Sequence, residues 1–292
     1  MSGPAQLFDA VGPRGRARQR IFGVVASVIA LTLGGFALIR LGEKGNLAPE
    51  KWSPFATSVL WQEYLLPGLV GTIRAAIISV VLATTLGLLL GVGRLSTLPP
   101  LRWLSSVLVE FFRAVPVLMM MLFAFAVFSF NRVFPSEYLS LAAVVTGLTL
   151  YNGAVIAELL RAGVQNLPSG QREAGLSVGL TPAQALRHVQ LPQALTAMLP
   201  ALVSQLVVVL KDSALGYVIT YEELLNKATQ IGTAYANVVP ALTVVALLFI
   251  LLNAALTMLA GRVERRLLRR GHTSAILGDP TRVQPTMEPA DP

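Results

Sequence analysis

The sequence predicts an all-α polytopic membrane protein with about six transmembrane helices. Of its 292 residues, 54% are hydrophobic and only 13% are charged, and the mean hydropathy is +0.66. A soluble domain carries about 25% charged residues, so this composition excludes one. Several apolar runs are long enough to cross the hydrocarbon core of a bilayer as helices. The chain has no cysteine, which excludes disulfides, thiolate metal ligands and cysteine nucleophiles.

The apolar runs define the predicted spans in chain order. The first run is long for the core of a signal peptide, and we interpret it as an uncleaved helix. Glycines on the second half of the next run would allow close packing between helices. The predicted spans cover residues 21–39, 67–92, 114–130, 139–160, 194–210 and 239–260.

Basic residues are concentrated on one side of these spans. Most arginines lie in the segments that precede the first span, separate the second from the third and the fourth from the fifth, and follow the last. The positive-inside rule assigns those segments, and with them both termini, to the cytoplasm. The net charge of +8 therefore reflects membrane topology, and we expect no nucleic-acid partner.

A polar segment between the fourth and fifth spans, residues 169–192, is here called the elbow. Its pattern predicts two short helices around a glycine. Ser169 follows a proline and is placed to cap the first helix, and Gly179 is placed to end it. From spacing alone, an ordinary long cytoplasmic loop fits the elbow equally well.

The second helix of the elbow has stronger signals at its start. Thr181 is predicted as its N-cap, with Pro182 in the first turn and Gln184 completing a capping box. Pro192 is predicted to stop this helix at Leu191, because the residue before a proline disfavours the helical conformation.

The elbow resembles the EAA loop of ABC-importer permeases, whose pattern is E-A-A, three residues, G, nine residues, I, one residue and L-P. Gly175 stands where the second alanine is usual, and Val189 replaces the isoleucine, but every spacing is kept. The resemblance implies a coupling loop, 165–192, that binds an ATPase. Its coupling residues would be Glu173, Ala174, Gly179, Leu186, Val189, Leu191 and Pro192.

Four further segments resemble polar amino-acid permeases, the histidine, glutamate and glutamine permease family. Residues 112–116 resemble the F-x-R-x-x-P segment of this family, and the others match A-E-x-x-R-x-G at 157–163, L-P-Q-A-L at 191–195 and L-K-D-[ST]-[SA]-L at 210–215. The resemblance covers about residues 66–268. The additional first span and the long tail are most similar to the second permease of glutamate uptake systems.

This resemblance implies the MetI-like fold of a type I ABC importer permease with one extra N-terminal helix. Such a chain would pair with a second homologous permease in the bacterial cytoplasmic membrane. Two cytoplasmic ATPase subunits would bind ATP and Mg, and an extracytoplasmic binding protein would deliver a polar amino acid. Glutamate is the expected cargo, with glutamine, arginine and histidine left open. The implied division is a cytoplasmic tail 1–20, an extra transmembrane helix 21–41, a permease domain 66–268 and a disordered cytoplasmic tail 271–292.

Charged residues inside the fifth apolar run mark a candidate cargo pathway. Charges inside a membrane are usually functional, and a helix break there would free backbone groups for a zwitterion. A structural ion pair, or the outer end of the span, would explain the same residues. Met120 stands where many permeases of the family have glutamine. The candidate pathway residues are Lys211, Asp212, Ser213 and Met120.

Two carboxylate–arginine pairs have helical i, i+3 spacing near the cytoplasmic side. Glu158 and Arg161 are predicted to form a local pair that positions the elbow, and Glu110 and Arg113 a second pair. The run of three methionines that contains Met120 is interpreted as packing.

The sequence carries no pattern typical of an enzyme. There is no P-loop and no G-x-S-x-G, and the two histidines, His188 and His272, are too few for a metal cluster. We therefore expect no catalytic residue, cofactor or metal in this chain. Two other interpretations stay open. One is an ion-gradient-driven secondary transporter with Glu158 and Asp212 as proton or cation sites, and the other is a membrane scaffold without a pathway.

Overall fold

The computed structural model describes the backbone of residues 12–272 and the side chains up to residue 262, except those of residues 13, 14 and 16. These residues form helices and no strand. Short 3₁₀ or π segments occur at Ser53–Ala56, Trp61–Leu65, Leu186–Gln190 and Ser213–Ile219. The α-helices are α1 (Pro13–Glu43), α2 (Pro49–Trp52), α3 (Ser58–Leu60), α4 (Leu66–Arg94), α5 (Pro99–Ala114), α6 (Val117–Phe130), α7 (Ser136–Gln165), α8 (Ser169–Ser177), α9 (Pro182–Ala185), α10 (Leu191–Ala197), α11 (Leu199–Asp212), α12 (Leu224–Ala234) and α13 (Val238–His272).

Six membrane crossings fit these helices, as the sequence predicted. Five segments are long and apolar enough to span alone, and the sixth crossing combines α5 and α6, whose axes differ by 101°. The five single segments are Ala17–Glu43, Ser58–Arg94, Ser136–Gln165, Leu199–Ile219 and Val238–Arg262.

Helix α5 was not predicted from the sequence, which placed the third span at 114–130. Pro116 explains the break between α5 and α6, since it holds Val115 in an extended conformation with φ −86° and ψ 129°. Ser105 and Val109 are buried on one side of α5, whereas Trp103 is exposed on the other. Ser105 packs against Gly93, and Glu110 pairs with Arg94 at the end of α4, so helix α5 lies at the end of the bundle that carries the elbow, here called the elbow end.

The bundle is built around α4 and α7, which pack along most of their length. Small residues on α4, among them Ala75, Ser79 and Ala83, are fully buried and let the two backbones approach closely. A hydrophobic core that includes Met121 and Leu148 connects this pair to α6. The same core continues into the 3₁₀ segment that follows α11.

Helix α12 lies at the opposite end of the bundle, here called the far end, and was not predicted. Glu223 is fully buried and caps α12 by accepting hydrogen bonds from the backbone N–H groups of Leu225 and Asn226. Burial raises the pKa of this carboxyl to about 7. The Leu224 N–H donates to Thr72 Oγ1 at 3.2 Å, which connects α12 to α4.

The first helix of the described chain is α1, and the segment between α1 and α4 is bonded to the far end of the bundle. Helix α1 covers the predicted extra helix and begins at Pro13 within the predicted tail 1–20, and none of its side chains from Ala17 to Glu43 is buried. The segment after it is held in place because Lys51 Nζ donates to the Ala236 carbonyl and Asn237 Nδ2 donates to the Lys51 carbonyl at 3.1 Å. The predicted tails lie largely outside the described residues, since 1–11 and 273–292 are not among them.

Candidate functional site

The elbow contains the two short helices that the sequence predicted. Helix α8 ends at Ser177, and Gly179 follows its C-cap with a φ of +85°, which is left-handed and favours glycine. The Gly179 N–H donates to the Leu176 carbonyl and the Leu180 N–H to the Gly175 carbonyl, at 3.0 and 3.2 Å. These two bonds form a Schellman motif, which satisfies the last carbonyls of α8 and fixes the turn.

The second elbow helix begins with the predicted capping box. The Thr181 N–H donates to Gln184 Oε1 at 2.9 Å, and the Gln184 N–H donates to Thr181 Oγ1 at 3.3 Å. Pro182 occupies the first turn of α9, where its missing N–H is not needed. The turn between the two elbow helices is thus fixed on both sides.

Two predictions for the elbow were wrong. Pro168, not Ser169, is the N-cap of α8, and no side chain caps that helix. Pro192 does not stop the second helix, since α10 continues through it to Ala197. The π segment Leu186–Gln190 explains this, because its wider turn shifts the hydrogen-bond register just before the proline.

Glycine at position 175 fits the close packing of the two elbow helices. Gly175 is buried, and a Cβ atom there would lie 3.2 Å from the Ala185 Cβ and 3.7 Å from the nearest Val189 methyl. The usual alanine at position 175 would therefore crowd this contact. A hydrogen bond of 3.0 Å from Gln193 Nε2 to Gln171 Oε1 also connects the two parts of the elbow. The elbow is one packed unit.

The expected coupling residues divide into two groups in the structure. Leu186, Val189 and Leu191 are half-buried and hold the elbow together. The others are exposed, as is Val178, which leaves 78% of its surface open next to Gly179. The exposed coupling residues are Glu173, Ala174, Gly179 and Pro192.

A cavity of about 690 Å³ lies between the elbow and the segment after α4. Ser96 and Thr97 contribute one wall, and Arg172 and Gln190 contribute another. The α4–α5 connection and the elbow therefore lie at the same end of the bundle.

An ion-pair network joins three helices beside this cavity. Glu158 pairs with Arg161 as predicted, and it also accepts from Arg94 Nη1 at 2.6 Å and lies 3.5 Å from Arg113 Nη1. Glu110 contacts Arg94 at 3.0 Å and Arg113 at 3.8 Å, so the second predicted pair belongs to the same network. The part played by Arg94 was missed, since it is distant in sequence and only the packing of α4 on α7 brings it close.

At Asp212 the α-helix changes to a 3₁₀ helix within one continuous apolar segment, Leu199–Ile219, and this transition is here called the break. There α11 gives way to the 3₁₀ segment Ser213–Ile219, and Ser213 is buried with its hydroxyl donating to the Leu210 carbonyl at 2.7 Å. Lys211 is exposed and Asp212 half-buried, and no ion pair joins them within 4 Å in the part of the chain that the structure describes.

Met120 is buried in α6, which packs against this 3₁₀ segment. A polar contact that the sequence did not reveal lies deeper in the bundle: the Gln205 amide donates to Asn152 Oδ1. Asn152 is fully buried, so this bond joins α7 to α11 between the elbow and the break.

The sequence that forms this arrangement matches a known protein family. The family model described as the binding-protein-dependent transport system inner membrane component matches residues 83–269, a region that contains the elbow, the ion-pair network and the break. The chain belongs to this family. It is a permease component of an amino-acid ABC importer.

Several characterised proteins are similar to the permease. It is 50% identical over 227 residues to the glutamate transport system permease protein GluD of Corynebacterium glutamicum, which covers 78% of this chain and 83% of that protein. It is 34% identical to the probable glutamine ABC transporter permease protein GlnP of Bacillus subtilis, over 70% of this chain and 93% of that one. The glutamate/aspartate import permease protein GltK of Escherichia coli O157:H7 is 29% identical over 74% of this chain and 97% of its own length.

Solved structures of ABC transporters share the fold of the permease. An amino acid ABC transporter crystallised with histidines superposes with a TM-score of 0.63 and 29% identity, covering 69% of this chain and 92% of that one. The inward-facing MetNI methionine transporter gives a TM-score of 0.61 with 25% identity, over 72% and 99% of the two chains. The prediction of a MetI-like permease fold is confirmed.

Proposed function

We propose that this permease forms, with a second homologous permease, the pathway of an ATP-driven glutamate importer and couples to the ATPase subunits through its elbow. The elbow carries this proposal. Its two helices are fixed by a Schellman motif and a capping box, while its tip, Val178 and Gly179, is exposed. Apart from its sequence neighbours, no atom of the residues that the structure describes lies within 4 Å of where a Cβ atom at Gly179 would be, so a partner has room to contact the backbone there.

A continuous path connects the elbow to the helix break. Helix α10 follows the elbow directly and leads into α11, which ends at the break. The Asn152–Gln205 bond ties α11 to α7, and Arg161 on α7 belongs to the ion-pair network. When ATP closes the partner ATPases, displacement of the elbow would tilt these helices and open the pathway to the opposite side. The ATP and Mg bind in the partner, and this chain transmits the motion.

Different observations support the amino acid that is carried and the orientation of the permease in the membrane. The 50% identity to a glutamate permease supports glutamate, and the concentration of arginines around the elbow supports a cytoplasmic elbow with cytoplasmic termini. Lys211, Asp212 and Ser213 then lie toward the outside, where the binding protein delivers the amino acid. Met120 borders the same segment from α6.

The test of this proposal is Gly179→Arg in the tagged permease, purified in mild detergent with whatever binds to it. A left-handed conformation disfavours an arginine by about 1–2 kcal/mol, and the long side chain fills the open contact surface. We expect the ATPase that accompanies the parent permease to be lost, together with ATP-dependent glutamate uptake, while the spans stay folded.

Gly45→Arg is the matched control. Gly45 also has a left-handed φ of +68°, with open space where a Cβ atom would be. It lies between α1 and α2, away from the elbow. This variant should keep the ATPase and the uptake. Normal transport by Gly179→Arg would contradict the proposed role of the elbow. Uptake that ignores ATP but collapses with the proton gradient would instead identify an ion-driven carrier.

A further inference from the structure

The far end of the bundle contains an arginine that has no role in the proposed function. Arg74 lies on α4 and is exposed, and its guanidinium lies 5.7 Å from the centre of the Tyr138 ring. No carboxylate lies within 4 Å of it among the residues that the structure describes. A guanidinium group without a carboxylate partner in the protein keeps its capacity to bind the carboxylate of a ligand.

The position of Arg74 along the membrane can be estimated from α4 itself. Arg94, in the ion-pair network, marks the elbow end of this helix. At about 1.5 Å per residue, Arg74 lies roughly 30 Å away along the axis, close to the thickness of the hydrocarbon core. Arg74 is therefore at the far border of the membrane, at the mouth from which cargo would enter.

Arg74 also lies beside the helix break. The neighbouring Gly71 carbonyl accepts a hydrogen bond of 2.8 Å from the Tyr221 hydroxyl, just after the 3₁₀ segment. Ser140 Oγ, two residues after Tyr138 on α7, donates to the Ile219 carbonyl at 3.0 Å. Burial raises the pKa of the Tyr221 phenol to about 12, and the positive charge of Arg74 acts in the opposite direction. These contacts place the guanidinium between α7 and the segment that follows the break.

The surroundings suit the recognition of a carboxylate. The Tyr138 ring holds the guanidinium through a cation–π contact, which leaves its N–H groups available. A guanidinium binds a carboxylate through two parallel hydrogen bonds, whereas an uncharged amide side chain offers a weaker match. We propose that Arg74 is a specificity-determining residue that binds a carboxylate of an anionic amino acid as it enters the pathway beside the Ser213–Ile219 segment.

This inference rests on the proposed function, since it requires glutamate as cargo. The test uses the complete importer in liposomes, with the permease pair, the ATPase and the loaded binding protein. Glutamate uptake and ATP hydrolysis are measured together, because a residue that only supports the fold would change both. For Arg74→Gln we expect glutamate moved per ATP hydrolysed to fall about tenfold, the effect of losing one hydrogen bond between charged groups. The loaded binding protein should still stimulate ATP hydrolysis.

Two further variants make the result decisive. Arg132→Gln removes the same charge from the turn between α6 and α7 at the same end, and it should leave glutamate per ATP within about twofold of the parent value, as expected for a surface charge. Arg74→Lys keeps the charge but not the fork of N–H groups, so its ratio should fall between those of the parent and Arg74→Gln.

Each remaining outcome would count against the inference. If Arg74→Gln moves as much glutamate per ATP as the parent does, Arg74 has no role in uptake. If Arg132→Gln loses as much as Arg74→Gln does, Arg74 contributes only its positive charge and no specific binding. If Arg74→Gln does not assemble and Arg74→Lys behaves as the parent does, the residue only stabilises the fold. If the parent importer shows no ATP-driven glutamate uptake, the proposed cargo is wrong and the inference falls with it.

Discussion

Glu158 shows how one side chain can connect three helices of the permease. Its carboxylate lies among guanidinium groups from α4, α5 and α7, and only 21% of its side chain is exposed. Because burial weakens solvent screening, each of these pairs is stronger than one on an open surface. Arg94 is even more buried, at 10% exposure, so loss of the Glu158 charge would leave it with Glu110 as its acidic partner.

We predict that Glu158→Gln destabilises the permease by about 1–3 kcal/mol, since the largely buried Arg94 guanidinium would lose a carboxylate acceptor. The measurement is thermal unfolding of the detergent-purified protein, where each kcal/mol shifts the melting temperature by about 2–4 °C. Glu110→Gln is the control, because 62% of that side chain is exposed and its loss should change the melting temperature little. Equal melting temperatures for parent and Glu158→Gln would show that the network does not stabilise the fold.

Local sequence signals identified those site residues whose partners are close in the chain. The Glu158–Arg161 pair and the Thr181–Gln184 capping box follow from spacings of three residues, and both are present. Arg94 was missed because its partner Glu158 is distant in sequence. No local pattern predicts such a contact, since it depends on how α4 packs against α7.

The close packing of α4 on α7 depends on glycines at the contact between the two helices. A Cβ atom at Gly87 would lie 2.6 Å from the Ile156 Cβ and 2.8 Å from the Gly153 carbonyl oxygen. Backbone atoms yield less easily than the end of a side chain, so any larger residue would push the two helices apart. Gly163 differs, because its nearest neighbour, the Ala194 Cβ, is at an ordinary 3.6 Å.

We predict that Gly87→Ala destabilises the permease relative to Gly163→Ala by about 1–3 kcal/mol, the usual range for an overpacked core. Both variants gain the same helix propensity, about 1 kcal/mol in favour of alanine. The difference between their melting temperatures therefore isolates the steric term. If Gly87→Ala melts at or above Gly163→Ala, the α4–α7 contact is looser than the structure indicates.

The sequence predicted long elements better than short ones. Apolar runs of about twenty residues predicted the spans, because crossing a bilayer requires that length. Helix α5 was missed because it is too short to span a bilayer by itself, and only its contacts with α4 and α7 reveal its role. Pro192 was misjudged for a related reason: a proline disfavours a regular α-helix, but the preceding π segment accommodates it.

The cavity between the elbow and the α4–α5 connection constrains how many times the chain crosses the membrane. Thr97, before α5, lines the same cavity as Gln190 of the elbow, so both must lie on one side of the membrane. Between them the chain runs through α5, α6 and α7. Because α7 alone crosses once, α5 and α6 together must cross once in the other direction. The bent pair is therefore a single span, which together with the five single segments fits six crossings.

We predict that single cysteines at Thr97 and Val178 resist a membrane-impermeant maleimide in intact cells, whereas one at Val133 reacts. The chain has no cysteine of its own, so each introduced thiol is a unique reporter. Thr97 and Val178 are exposed at the elbow end, and Val133 is 52% exposed in the turn between α6 and α7. All three should react after the cells are opened, which controls for access. Labelling of Val178 but not Val133 in intact cells would reverse the orientation. Opposite behaviour of Thr97 and Val178 would mean that α5 and α6 do not form one crossing, and the elbow could not then share a side with the α4–α5 connection.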